Sequence, residues 1–111
     1  MQRRPSIAIS AITALVASAA LAVSAFAATK TVTVGDIFFK PKTVTVTKGS
    51  TVKWVWKGKL PHNVTVKSGP VKFKSPTQKA GSFSKKLTKK GTYKIICTVH
   101  GAAQSLTLKV K

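Results

Sequence analysis

The stretch Thr43-Val44-Thr45-Val46-Thr47 alternates polar and apolar residues at strict period two. This is the pattern of a strand with one solvated and one buried face, because successive side chains of an extended chain point to opposite sides. Related patterns recur to the C-terminus. Thr31 to Val34 alternates Thr and Val. Val52, Trp54 and Trp56 share one face, with Lys53, Val55 and Lys57 on the other. Tyr93, Ile95 and Cys97 share a face, as do Leu106, Leu108 and Val110. Phe83 and Leu87 share theirs with Lys85, a charge that suits a sheet edge. Turn signals separate these runs: Gly35-Asp36, Pro41 after Ile37 to Phe39, Lys48-Gly49-Ser50, Lys57 to Pro61, Ser68-Gly69-Pro70, the loop-like Ser75 to Gly81, and Lys89-Lys90-Gly91. His62 to Lys67 reads as extended and Val71 to Lys74 as a further short strand. Val99 to Ala103 reads as a short loop, with the last strand beginning near Ser105. No useful helical period follows residue 27. The pattern predicts an all-β fold, an antiparallel sandwich or barrel of seven or eight short strands.

Residues 1–27 have a different character. Arg3 and Arg4 precede an apolar run from Ile7 to Val23, and Ala25-Phe26-Ala27 fits the small-x-small cleavage signature. This is the form of a secretory signal peptide cleaved after Ala27. A membrane anchor is the competing reading, since the run extended to Ala28 is about long enough to span a bilayer. Its richness in Ala and Ser and the cleavage site favour the signal. Residues 28–111 then form one small exported domain, destined for the periplasm, the cell wall or the extracellular space.

The formal net charge is +19, from 20 Lys and Arg against a single acid, Asp36. Beyond Arg4 every basic residue is lysine. Such a domain is drawn to anionic membranes, wall polymers or acidic proteins. The lysines are spread along the chain, and arginine, the usual bidentate reader of nucleic acid, is missing from the domain. No specific nucleic-acid partner is expected, and much of the charge serves to keep strands soluble and their edges blunt.

The chain has one cysteine and two histidines. They fall in two short segments, Pro61-His62-Asn63 and Cys97-Thr98-Val99-His100. One cysteine makes no internal disulfide. A lone cysteine is often a small buried hydrophobe, and a histidine is often a surface residue. Together, however, thiolate and imidazole are the ligands of copper and zinc. A sandwich gathers loops from distant strands at one end, where these three side chains can meet. His₂Cys on a rigid β scaffold is the blue-copper arrangement. A structural zinc site wants four ligands, and Asp36, the only acid, is remote in sequence.

Four segments resemble the cupredoxins, the small blue copper proteins such as plastocyanin, amicyanin and azurin. They are Phe39 to Val46, Gly49 to Trp54, Pro61-His62-Asn63-Val64, and Gly91-Thr92-Tyr93-Lys94-Ile95-Ile96-Cys97-Thr98-Val99-His100. The last two are the specific ones. The resemblance spans residues 30–111 and implies a Greek-key β-sandwich. It implies one type 1 copper ion held by His62, Cys97 and His100. It also implies that Asn63 ties the two ligand loops together, with its backbone N–H aimed at the Cys97 sulfur. The family's usual axial methionine is missing, since the only methionine is Met1. Gln104 is the candidate for that place; the alternative is that it faces solvent. Trp56 stands where the family often has asparagine, and a packing role is expected of it.

The leading expectation is an electron carrier, not an enzyme, that works as a monomer. It would meet an acidic redox partner through the edge of His100, Leu60 and Pro61, and small residues at 101–103. A copper carrier or storage protein would use the same ligands. A cationic surface-binding module on the same fold is the third reading.

Overall fold

The computed structural model describes residues 27–111. The export signal or anchor expected over residues 1–27 lies, except for Ala27, outside the described residues. Among the described residues eight strands form: β1 (Thr29–Gly35), β2 (Phe38–Lys40), β3 (Thr43–Val46), β4 (Thr51–Trp56), β5 (Thr65–Ser68), β6 (Ser82–Lys86), β7 (Gly91–Cys97) and β8 (Gly101–Val110). They make two four-stranded sheets, ordered β2-β1-β4-β6 and β3-β8-β7-β5. The expected all-β sandwich is present.

Both sheets are mixed and not purely antiparallel. β1 runs parallel to β4, and β3 runs parallel to β8. Only β1–β2 and β7–β8 are successive strands paired within one sheet; every other connection crosses to the opposite sheet. The stretch Val71 to Lys74 does not form a strand. It contributes an isolated bridge between Thr65 and Lys74 and the bond from Val66 N–H to Phe73 O. β8 begins at Gly101, four residues before Ser105, because a register shift after Ile96 pairs Cys97 with Gly101.

The alternating apolar residues meet between the sheets. Val52, Trp54 and Trp56 of β4 face Tyr93, Ile95 and Cys97 of β7 and Leu106, Leu108 and Val110 of β8 across one buried core. Trp54 is fully buried, with the rings of Phe73 and Phe83 at 6.2 and 6.0 Å. β6 is an edge strand, as Lys85 suggested. Lys85 sets its ammonium over the Phe73 ring, 5.5 Å from its centre. Tyr93 fills the core and donates its hydroxyl to Lys89 O at 2.8 Å, closing the turn before β7.

Candidate metal centre

Three connections converge at one end of the sandwich: the β1–β2 turn, the β4–β5 crossing and the β7–β8 hairpin. Cys97 ends β7 on its buried face. His100 N–H donates to Cys97 O at 3.2 Å, and Gly101, at φ 63°, turns the chain into β8. The crossing from β4 is pinned at His62, which exchanges two backbone hydrogen bonds of 3.0 Å with Gln78. Trp56 packs beneath it, and its indole N–H donates to His62 O at 3.1 Å.

His62, Cys97 and His100 come together as the sequence led one to expect. Each offers one donor atom, and the three lie within 4.8 Å of one another. Cys97 Sγ is 4.0 Å from His62 Nδ1 and 3.7 Å from His100 Nδ1. Metal–thiolate and metal–imidazole bonds of about 2.3 and 2.0 Å, opened to about 120°, separate sulfur from nitrogen by about 3.7 Å. The residues present therefore fit a single trigonal metal ion. His62 and Cys97 are fully buried, whereas His100 is only partly so.

Asn63 fastens the two ligand loops. Its backbone N–H donates to Cys97 Sγ at 3.4 Å. Its side-chain Oδ1 accepts from Thr98 N–H at 3.0 Å and Thr65 Oγ1 at 2.9 Å. Its Nδ2 donates to Thr98 Oγ1 at 2.7 Å and Thr77 Oγ1 at 2.9 Å. An amide with acceptor and donors all engaged has one orientation only.

Gln104 is fully buried and does not face solvent. Its Nε2 donates to Gly35 O at 3.0 Å and Phe38 O at 2.9 Å. With both amide protons engaged, its Oε1 is left pointing at the centre, 3.2 Å from His100 Nδ1.

Asp36 was set aside as remote in sequence, yet the fold brings it to the centre. Its Oδ1 lies 2.9 Å from His62 Nε2, and its carboxylate also accepts the N–H groups of Lys59 and Leu60 at 3.0–3.1 Å. It is not a candidate ligand, because it sits behind the ring, away from Nδ1. The hydrogen bond from His62, followed by those from Leu60 and Lys59, holds its carboxyl down at about 2. An ionised carboxylate only accepts, so the proton of a neutral His62 sits on Nε2 and the Nδ1 lone pair faces Cys97.

Residues 26–111 match the sequence model of the copper binding proteins of the plastocyanin/azurin family. The chain belongs to that family. Solved structures similar to this cupredoxin include amicyanin in several variants. One is an oxidized proline-to-glycine mutant, 28% identical, with 78% of this chain and 90% of that chain covered at TM-score 0.66. Another is a methionine-to-glutamine mutant in the Cu(I) state, also 28% identical, with 75% and 82% covered at TM-score 0.67. No curated protein sequence matches the chain. Copper is accordingly the cofactor of this cupredoxin, with His62, Cys97 and His100 positioned to bind one ion.

Proposed function

We propose that the protein is an exported single-electron carrier. In this reading His62 Nδ1, Cys97 Sγ and His100 Nδ1 would hold the copper, and Gln104 Oε1 would supply a further, weak oxygen donor in place of the family's methionine. Bound copper supplies the Cu(I)/Cu(II) couple. The protein's part is to hold the donor atoms still. Asn63 locks the loops of His62 and Cys97 together, and the carbonyls of Gly35 and Phe38 fix the amide of Gln104. Little rearrangement then accompanies a change of oxidation state.

The observation that carries the reading is the contrast in exposure. His62 and Cys97 are sealed, while His100 is part-exposed, and the exposed large hydrophobics of the described residues, Ile37, Phe38, Leu60 and Val99, fall at the three connections that carry the centre. Val99 precedes His100, Phe38 O accepts from Gln104, Ile37 follows Asp36, and Leu60 N–H donates to Asp36. An apolar rim around one ligand edge suits a brief docking contact. The surrounding lysines would steer an acidic partner, with rates that fall as salt rises. No enzymatic role is proposed. Residues 1–27 are assigned to export on sequence alone, and the domain of residues 28–111 is taken to act as a monomer.

Cyclic voltammetry of the copper-loaded protein tests this. A single reversible one-electron wave is expected, and its midpoint should rise in Gln104→Leu, because removing an oxygen donor disfavours Cu(II). Absence of a wave, with rapid loss of copper to a chelator, would instead support the copper-carrier reading.

A further inference from the structure

The one acid in a chain of net charge +19 is not paired with a lysine. Its side-chain partner is His62, and its remaining hydrogen bonds go to backbone N–H groups of the same ligand loop. Two features of the chain make room for that arrangement. Gly58 lies against the carboxylate, and a Cβ there would overlap it. Ile37, the residue after Asp36, takes φ 68°. That value is unfavourable for a β-branched side chain, and turns that need it usually place Gly or Asn there. The strained turn delivers Asp36 to His62, while the carbonyls of Gly35 and Phe38 on either side of it hold Gln104.

We propose that Asp36 is a positioning residue for copper. It fixes the tautomer and ring orientation of His62 and strengthens its Nδ1 as a donor, thereby favouring Cu(II) over Cu(I). This rests on the ligand set proposed above. Physically, a negative charge behind the imidazole offsets the build-up of positive charge on the ring when Nδ1 donates to a metal. In a domain where every other fixed side-chain charge is positive, this is the nearby group able to do so. The Lys59 and Leu60 N–H bonds keep the carboxylate in place, so the ring is held from behind by a fixed acceptor and not by mobile water.

The test uses Asp36→Asn and Asp36→Ala. Asparagine keeps an acceptor for His62 Nε2–H and for the loop but removes the charge, so it folds even if the alanine variant does not. In the metal-free protein, well above the ordinary imidazole pKa, ¹⁵N NMR should show His62 protonated at Nε2 in wild type and Asp36→Asn, and a mixture of tautomers in Asp36→Ala. With copper, Asp36→Ala should lose about 10–100-fold in Cu(II) affinity. Asp36→Asn should lose less. Each tenfold loss of Cu(II) relative to Cu(I) raises the potential by about 59 mV. An unchanged potential in both variants would overturn the proposal, even if both were less stable, because a purely structural role moves only stability. An unchanged tautomer in Asp36→Ala would overturn it as well. If wild type shows the Nε2 tautomer but takes up no copper, the ligand assignment has failed and not the positioning.

Discussion

Asn63→Ala should lower the stability of the domain by on the order of 2–3 kcal/mol and weaken copper binding by about 10–100-fold. The residue is buried, 5% exposed, and its side chain engages Thr65, Thr77 and Thr98 at once. Truncation leaves Thr98 N–H and the Thr77 and Thr98 hydroxyls without their partner in a place that water reaches poorly. An unmade buried hydrogen bond costs more than a made one contributes. The copper effect has a separate cause. The bond from Thr98 N–H to Asn63 Oδ1 holds the residue after Cys97 against the residue after His62, so its loss frees the two ligand loops to separate. Chemical denaturation of the metal-free protein reads the first effect, and a competition titration with a copper chelator reads the second. A variant that loses stability but keeps full copper affinity would show that the loops need no such tie.

The other large effect is expected at Trp54. Trp54→Ala should cost about 3–5 kcal/mol, the usual range for emptying a large aromatic site in a core. Small domains have only about 5–15 kcal/mol in all, so this variant should be close to unfolding at room temperature. Trp54→Phe should cost less than about 2 kcal/mol, for a reason specific to this site. Among the described residues the buried indole Nε1 has no hydrogen-bond partner. Phenylalanine loses no hydrogen bond and relieves an unsatisfied donor, which offsets part of the smaller cavity it leaves. Thermal unfolding of the two variants side by side checks this. Equal losses would mean that the indole N–H has a partner after all.

The strand content was legible because burial imposes a period of two, and nearly every alternating run in the sequence is a strand. Partners were less legible. Alternation says which face of a strand is buried but not which neighbour it takes, so the parallel pairing of Thr29–Gly35 with Thr51–Trp56 gave no local sign. Val71 to Lys74 alternates as a strand should, but beyond Pro70 it makes too few backbone pairs to become one. The early start of the last strand was hidden because Gly101, Ala102 and Ala103 carry no alternation, and the bulge after Ile96 is set by the geometry of the hairpin. In the centre, His62, Cys97 and His100 stood out by residue type in two short segments, and Asn63 only through the family resemblance. Asp36 did not, because its approach to His62 depends on how two distant turns pack. The available clue was its being the only carboxylate in so basic a chain. Thr77 and Gln78 carried no clue, since their roles come from hydrogen bonds in an otherwise unremarkable loop.

The visible absorption spectrum after addition of Cu(II) tests the central claim most directly, with Cys97→Ser measured beside the wild-type protein. A type 1 centre predicts an intense blue thiolate-to-copper band in the wild type and its complete loss in the serine variant. A colourless wild type, or one with only the faint tint of ordinary Cu(II), would contradict the electron-carrier account and bring the cationic surface-binding reading forward.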